Sequence, residues 1–232
     1  MDEAITKLCE RLRVLLEKNP ASSQRRILVA FAGTPGSGKT TISAALTKIW
    51  NAKSAPNASI TVLPMDGFHY PKSVLPTLKN SECAFRRRGA PFTFDAEAFV
   101  ELVKLLRETP VTEVDNPAQS FHAPSFDHAI KDPIENDIYI PSSQRIVILE
   151  GNYVLLNEHP WDQIQHLVDE SWFVSISRET AKDRLVKRHL QAGIETTTEA
   201  ASLRAEENDL RNGDHIKENM ICPSFIIRSS EL

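Results

Sequence analysis

Apolar residues recur at spacings of three and four near the start of the chain, and later gather into short continuous runs. The first pattern predicts an amphipathic helix over residues 2–18, which ends at Asn19-Pro20. Continuous apolar runs are typical of parallel strands, because such strands are covered on both faces. The runs predict strands at residues 26–32, 60–65, 145–149, 171–176 and 225–228.

Helical patterns alternate with these strands. They predict helices over residues 39–52, 95–108 (with Asp95 as N-cap), 178–192 and 198–211. Residues 109–136 are rich in proline, aspartate and serine and show no clear period, which favours a functional loop with short strands. The alternation of strands and helices predicts a three-layer α/β fold with a mostly parallel, five-stranded sheet.

The composition is that of an ordinary globular protein, with 41% hydrophobic and 25% charged residues in a chain of 232. A net charge of −4 gives no general reason to expect nucleic acid or a membrane surface as a partner. The three cysteines are far apart, which favours reduced thiols over disulfides or zinc. The N-terminus lacks the features of a signal peptide, and no apolar run approaches the roughly 18 residues of a membrane span. We therefore expect a cytoplasmic protein; a nuclear location and homo-oligomerisation stay open.

A phosphate-binding motif follows the strand predicted at residues 26–32. The sequence GTPGSGKT fits the pattern GxxxxGK[ST] and lies between a strand and a helix, as the motif requires. Its glycines allow backbone N–H groups to surround a phosphate, Lys39 would reach the β- and γ-phosphates of ATP, and Thr40 would bind Mg²⁺. The alternative, a glycine-rich turn with a chance match, does not explain this context. The predicted nucleotide-binding residues are Gly33, Thr34, Pro35, Gly36, Ser37, Gly38, Lys39, Thr40 and Thr41.

Two carboxylates follow predicted strands, at the end of the sheet where ligands gather in doubly wound folds. Asp66 follows VLPM and Glu150 follows RIVIL. A hydroxyl nucleophile needs a group that orients it and accepts its proton, which suits Asp66. Magnesium prefers oxygen ligands, which suits Glu150 together with Thr40. Each acid also precedes a glycine, so a simple turn is the alternative for either one.

Together with the phosphate-binding motif, MDGFHY (65–70) and ILEGNYVLL (148–156) resemble the phosphoribulokinase/uridine kinase family, which includes type I pantothenate kinases. The resemblance extends from about residue 26 to residue 228. It implies that Asp66 is the catalytic base and that Glu150 lies near the metal and phosphates. His69 and Asn152, which belong to these stretches, are predicted to contact the substrate. We expect an N-terminal helix and linker at residues 1–25 and a P-loop kinase domain at residues 26–232.

Two further stretches indicate the acceptor side of the site. RRGAPFTFD (87–95) resembles a pantothenate kinase pattern, and PSFDH (124–128) is similar to the Pro-x-Tyr-x-His stretch of the same enzymes. Phe126 stands where relatives commonly have tyrosine. Arginine can pair with a phosphate or an acidic group, and histidine can hydrogen-bond a hydroxyl or amide. Solvated arginines and a histidine satisfied by the backbone are the alternatives. The predicted substrate-binding residues of these stretches are Arg87, Arg88, Phe126 and His128.

Arg184 and Arg188 lie four residues apart in a predicted helix, so they share one face. The family resemblance implies a lid within about residues 178–197 whose arginines close over the ATP phosphates. Such groups would stabilise the charge of the transferring phosphoryl group. The alternative is an exposed basic face. Asn208, Asp209 and Asn212 are open between a nucleotide-binding role and turn or capping roles.

These patterns together predict an enzyme that uses ATP and Mg²⁺ to phosphorylate a hydroxyl group of a small metabolite. A nucleoside such as uridine or cytidine is the first prediction for the acceptor. Pantothenate is the second, from the stretches at residues 87–95 and 124–128, and a sugar or sugar phosphate the third. A P-loop ATPase switch without a small-molecule acceptor is the alternative from a different class. It leaves Asp66, and the polar and aromatic loop that follows it, without a purpose.

Overall fold

The centre of the fold is a parallel sheet within residues 2–228, the part of the chain that the computed structural model describes. Its order is β2 (Ile60–Pro64), β5 (Ile146–Gly151), β1 (Ile27–Gly33), β6 (Glu170–Ser175) and β7 (Phe225–Arg228). All neighbouring strands run parallel. Every residue of β1 and β5 is buried, as the continuous apolar runs require. The predicted fold class and the five-stranded sheet are confirmed.

Helices cover both faces of this sheet. The helices are α1 (Asp2–Lys18), α2 (Lys39–Asn51), α3 (Ser81–Arg86), α4 (Ala96–Glu108), α5 (Arg178–Gln191), α6 (Thr198–Arg204) and α7 (Arg211–Asn219). Alternate residues of β1 point to opposite faces: Phe31 packs in one core with α1 and α2, and Ala30 packs in the other with α4 and α7. The side chain of Asp95 accepts a hydrogen bond from the backbone N–H of Ala98, so the predicted N-cap of α4 is confirmed.

A β-hairpin occupies much of the stretch predicted as a loop with short strands. It consists of β3 (Phe121–Asp127) and β4 (Asp132–Ile140), which pair in antiparallel register outside the main sheet. The base of the hairpin is fixed by Asp115, which accepts hydrogen bonds from the Tyr139 hydroxyl at 2.6 Å and from the backbone N–H of Ser142 at 2.9 Å. At the base of the hairpin, the side chain of Asp115 takes the place of backbone-to-backbone hydrogen bonds. The residues just before the hairpin therefore show no regular spacing of apolar positions.

The helical region after Gly193 differs from the prediction. The expected helix at residues 198–211 is interrupted by a π-helical turn (Ala205–Leu210) and continues as α7 to Asn219. The sequence Asn212-Gly213 resembles a helix end, but Gly213 lies inside α7. A Cβ atom there would be 3.4 Å from Cβ of Thr34, which is ordinary van der Waals contact, so α7 packs against the turn after β1 at this position.

The N-terminal helix packs on the same face of the sheet as α2. Its residues Ile5, Leu8 and Leu12 are buried in the core with Val29 and Phe31 of β1. The division into residues 1–25 and 26–232 stays a prediction, and Met1 and residues 229–232 lie outside the described residues. Among the helices of the described chain, none has the length and apolar character needed to cross a bilayer.

Candidate active site

The turn between β1 and α2 has the backbone conformation that the glycines of the motif allow. Gly36 and Gly38 have φ angles of 78° and 88°, which residues with side chains rarely adopt. Gly38 is the N-cap of α2, so the positive end of the helix dipole begins where the turn ends. The predicted nucleotide-binding residues all lie at the end of β1, in this turn or in the first turn of α2, where Thr41 is exposed to solvent.

The side chains of Lys39, Thr40 and Glu150 meet at the carboxyl ends of β1 and β5. The Thr40 hydroxyl donates a hydrogen bond to Oε1 of Glu150 at 3.0 Å, and Nζ of Lys39 lies 3.8 Å from the same oxygen. Burial raises the pKa of the Glu150 carboxyl, although Lys39 opposes this shift. The structure thus brings together the lysine predicted for phosphate binding and both residues predicted for the metal.

This cluster fits a magnesium ion that is bound together with a nucleotide. No group of three histidine, cysteine, aspartate or glutamate side chains that could hold a metal by itself occurs among residues 2–228. Mg²⁺ is commonly held by one or two protein oxygens, with the rest supplied by phosphates and water. The Thr40 hydroxyl and the Glu150 carboxylate, 3.0 Å apart, are such a pair of hard oxygen donors.

Asp66 lies at the same end of the sheet, in a 3₁₀ turn (Met65–Phe68) that follows β2. Pro64, the last residue of β2, is in register with Glu150 of the neighbouring strand, so the chain places Asp66 just beyond the cluster of Lys39, Thr40 and Glu150. After burial, the charge of Asp66 is a further cause that raises the pKa of Glu150. Asp66 itself is half-buried. The predicted base Asp66, the predicted metal residue Glu150 and the predicted phosphate-binding Lys39 therefore lie at the ends of three adjacent strands, β2, β5 and β1.

Aromatic rings form a wall beside Asp66. The ring of His69 lies 3.9 Å from that of Phe94 and 4.7 Å from that of Phe126, measured between centroids. The ring of His128, in an exposed position near the hairpin turn, lies 5.3 Å from that of Phe126. Burial lowers the pKa of His69, and its Nδ1 lies 2.8 Å from the backbone oxygen of Asp66. The predicted substrate residues His69, Phe126 and His128 are thus brought together.

Arg87 and Arg88 make protein contacts that their sequence did not indicate. Arg88 donates to Oδ1 of Asp132 at 2.8 Å and to the backbone oxygen of Tyr70 at 3.0 Å, which joins the hairpin to the turn after β2. Arg87 points the other way and donates to Oδ1 of Asn212 in α7 at 2.6 Å. Both side chains are therefore held by the protein itself, and their predicted contacts with substrate stay predictions.

Asn152 follows Glu150 at the end of β5. Its Oδ1 is buried and has no hydrogen-bond partner among the described residues. A buried amide oxygen without a partner costs free energy, so such an atom at the end of a strand is a natural contact for a bound ligand. Its neighbour Tyr153 is fully buried and donates its hydroxyl to the backbone oxygen of Gly89 at 2.6 Å.

Arg184 and Arg188 on α5 differ in their distance from the nucleotide-binding turn. Nη1 of Arg184 lies 3.3 Å from the backbone oxygen of Ser37 and 3.5 Å from that of Gly36. Arg188 lies 3.5 Å from Asp209 of the π-helical turn, and its side chain is 58% exposed. The structure brings Arg184 to the nucleotide site and does not bring Arg188 there. Their roles in a lid stay predictions.

Three polar residues near the site received no firm role from the sequence: Tyr153, Asn208 and Asn212. All three are buried, and each donates a hydrogen bond to a backbone oxygen of residues 88–89. Tyr153 could have been noticed, because a tyrosine inside a buried apolar run needs a partner for its hydroxyl. The asparagines gave no such signal, because their partners are about 120 residues away in the sequence.

The fold and the strand-end cluster define a P-loop kinase. Residues 28–204 match the profile of the Phosphoribulokinase / Uridine kinase family, and the chain belongs to this family. Membership makes the chain an ATP-using phosphotransferase, as the sequence predicted. The resemblance that was inferred from the motifs is thereby confirmed.

Similar proteins agree with this assignment. The chain is 39% identical over 209 residues to a Schizosaccharomyces pombe protein named "Putative uridine kinase C227.14", covering 90% of this chain and 86% of the other. It is 46% identical over 157 residues to "ATP-dependent kinase-like protein notR'" of Aspergillus versicolor, covering 68% and 89%. The crystal structure of a "putative fructose transport system kinase" from Silicibacter sp. TM1040 has a TM-score of 0.80 at 30% identity, covering 95% and 98%.

Proposed function

We propose that this chain transfers the γ-phosphoryl group of ATP to a hydroxyl group of a nucleoside such as uridine or cytidine, with Mg²⁺ as the metal. One observation carries the proposal: Asp66 lies beside the cluster of Lys39, Thr40 and Glu150, on the adjacent strands β2, β5 and β1. An ATPase switch needs a phosphate turn and a metal site. It does not need a second carboxylate facing a wall of aromatic rings.

Each group of the cluster has a distinct task in this proposal. Lys39 and the backbone of the turn hold the phosphates, and Thr40 with Glu150 hold the metal. Bound magnesium would neutralise charge on the β- and γ-phosphates. Arg184 has the task of stabilising the transferring phosphoryl group once α5 moves slightly inward; the 3.3 Å between its Nη1 and the backbone oxygen of Ser37 supports this assignment.

Asp66 acts as the general base. Its carboxylate accepts the proton of the acceptor hydroxyl while the hydroxyl oxygen forms a bond to the γ-phosphorus. The bond between the γ-phosphorus and the bridging oxygen breaks, and ADP leaves with the electron pair. Asp66 is half-buried, which keeps its carboxylate accessible to an acceptor.

The aromatic wall supports a nucleoside as the acceptor. A nucleobase stacks well on flat rings, and the half-buried rings of His69 and Phe126 lie 4.7 Å apart, with the buried ring of Phe94 behind them at 3.9 Å from His69. Because burial lowers the pKa of His69, its imidazole stays neutral at pH 7 and can pair with neutral base edges. The name of the Schizosaccharomyces pombe relative supports the same choice.

A sugar is the second candidate. It is favoured by the fructose-related name of the structural relative at 30% identity, which aligns over almost the whole chain. Aromatic rings also pack against sugar faces, so the wall alone does not separate the two acceptors. Pantothenate remains the third candidate, on the stretches at residues 87–95 and 124–128.

The test compares product formation with uridine, cytidine, fructose and pantothenate, following phosphorylated product and ADP separately. A nucleoside should give acceptor-dependent ADP and phosphorylated product in equal amounts. Product from fructose alone would replace the first candidate by the second. ADP release that ignores every acceptor but responds to a macromolecular partner would support the switch.

The variant Asp66→Asn tests the base. It keeps the size of the side chain but cannot accept the proton, so product formation should fall by about 10²- to 10⁴-fold while nucleotide binding survives. Asp127→Asn is the matched control, because Oδ1 of Asp127 already accepts from the backbone N–H groups of Ala129 and Ile130 in the hairpin turn. Equal product formation by Asp66→Asn and the wild type would remove Asp66 as the base.

A further inference from the structure

Residues 87–89 connect two parts of the site that are separate in the sequence. On one side the guanidinium group of Arg88 donates to the backbone oxygens of Tyr70 and Lys131 and to Asp132 of the hairpin. The same group lies 5.7 Å from the ring centroid of Phe126, in the aromatic wall. This short segment therefore fixes the position of the acceptor side.

On the other side the π-helical turn and α7 hold the same segment by four hydrogen bonds. Arg87 donates to the backbone oxygen of Glu207 at 2.8 Å and to Oδ1 of Asn212 at 2.6 Å. Asn212 in turn donates from Nδ2 to the backbone oxygen of Gly89 at 3.2 Å. Asn208 donates to the backbone oxygen of Arg88 at 3.2 Å. Asn212 is the only described side chain that serves as both acceptor and donor in this set.

The π-helical turn and α7 also contact the nucleotide side. Asp209 lies 3.2 Å from Nε2 of His189 and 3.5 Å from Nη2 of Arg188, both on α5, the helix that brings Arg184 to the nucleotide-binding turn. Gly213 packs against Thr34 of that turn. One π-helical turn and the helix that continues it therefore touch α5, the phosphate turn and residues 87–89. π-helical turns are frequent at functional sites.

We propose that Arg87 and Asn212 are positioning residues that couple the nucleotide site to the acceptor site. A nucleotide that draws Arg184 towards its phosphates fixes α5, and α5 fixes the π-helical turn through Asp209. The Arg87–Asn212 contact then holds residues 87–89, and Arg88 holds the hairpin and the aromatic wall. Binding of ATP thereby orders the acceptor side before the acceptor arrives.

The proposal rests on the nucleotide site and not on which acceptor is used. Its probe is the non-hydrolysable analogue AMP-PNP with Mg²⁺, and its readout is hydrogen–deuterium exchange. The backbone N–H groups of Arg87, Gly89 and Ala90 donate to Cys83, Thr93 and Arg87, so their exchange requires local opening. In the wild type the analogue should slow exchange across residues 86–94 by at least about fivefold, the lower end of typical coupling between sites.

Two variants break the contact from opposite ends. Asn212→Ala removes both of its hydrogen bonds, and Arg87→Met keeps the side-chain length but removes the donors. In each variant AMP-PNP should still protect residues 33–41, while protection of residues 86–94 should fall below about twofold. Arg86→Ala is the matched control, because Arg86 is the exposed arginine next to Arg87 and should keep the wild-type response.

Four outcomes would overturn the proposal. The wild type could show no effect of AMP-PNP on residues 86–94, or the variants could keep that effect at full size. The variants could also lose protection of residues 33–41, which would mean that they damage nucleotide binding itself. If Asn212→Ala does not fold, Arg87→Met decides, and failure of both to fold would show a purely structural role. A failed acceptor panel leaves these outcomes unchanged, because no acceptor is present.

Discussion

The substitution Gly67→Ala tests how closely the hairpin approaches the catalytic turn. Gly67 follows Asp66, and the carbonyl group of Pro124 in β3 passes directly over it. A Cβ atom on residue 67 would lie 2.6 Å from the carbonyl carbon of Pro124 and 3.2 Å from the backbone nitrogen of Ser125. Carbon atoms that are not bonded normally stay about 3.5 to 4.0 Å apart. The two backbones must therefore separate by about 1 Å.

This displacement has a cost in both stability and activity. Overpacking of this kind typically lowers the free energy of unfolding by about 1 to 3 kcal/mol. In a chain of 232 residues that corresponds to a fall of about 2 to 12 °C in melting temperature. The same shift moves the aromatic wall relative to Asp66. A misplacement of about 1 Å can reduce turnover by about 10²-fold, equal to about 2.7 kcal/mol in the barrier.

The assay measures kcat, KM and melting temperature for Gly67→Ala beside a second variant that is only destabilised. Val103→Ala serves this purpose, because Val103 is fully buried in α4 within the core and is absent from the active site. It should lose a similar stability, about 1 to 3 kcal/mol, and keep its kcat. Wild-type kcat and melting temperature in Gly67→Ala would refute the close approach. Equal losses of kcat in both variants would refute the geometric cause.

The remaining predictions concern four other sites. Lys39→Ala should abolish turnover with an unchanged circular dichroism spectrum, and a folded, active variant would refute its role. Arg184→Ala should lower kcat more than Arg188→Ala, because only Arg184 reaches the nucleotide-binding turn; equal kcat values in steady-state assays would contradict this. Burial lowers the pKa of His69 from its ordinary value of 6.5, so on acidification the unfolded state binds the proton at a higher pH than the folded state does. The neutral, buried imidazole therefore contributes its full share to the free energy of unfolding above pH 6.5, and this share declines below that pH. Urea titrations should show this decline, and its persistence unchanged in His69→Gln would assign it elsewhere. Arg26→Met should lower the free energy of unfolding by about 3 kcal/mol in the same titrations, because the buried guanidinium donates to backbone oxygens that would lose their partner. A loss smaller than about 0.5 kcal/mol would refute this prediction.

The sequence was sufficient for the parts of the site that lie at strand ends. Lys39 and Thr40 are fixed by a contiguous motif, and Asp66 and Glu150 each follow a buried strand. In a parallel sheet the carboxyl ends of neighbouring strands share one edge, so local sequence and one general rule place these residues together. No knowledge of distant contacts was needed.

The acceptor side could not be derived in this way. Arg87 and Arg88 are adjacent in sequence, yet one binds α7 and the other binds the hairpin. Their partners come from segments whose position depends on the whole fold. The role of Gly67 could not be derived from the sequence either, because an Asp-Gly pair suggests only a turn. Gly67 is required because the hairpin backbone approaches it closely, and its φ lies outside the left-handed range.

This difference in origin has a consequence for how the acceptor can vary. The groups predicted to handle phosphate follow β1 and β5, two interior strands of the sheet whose residues are all buried and tolerate little change. The aromatic wall instead comes from the turn after β2, from Phe94 and from the hairpin, which lies outside the main sheet. Replacing hairpin residues such as Phe126 alters the wall without moving Lys39, Thr40 or Glu150. We therefore expect a common phosphoryl-transfer apparatus to serve different acceptors, with the choice of acceptor set by the hairpin and by the segment that Arg88 ties to it.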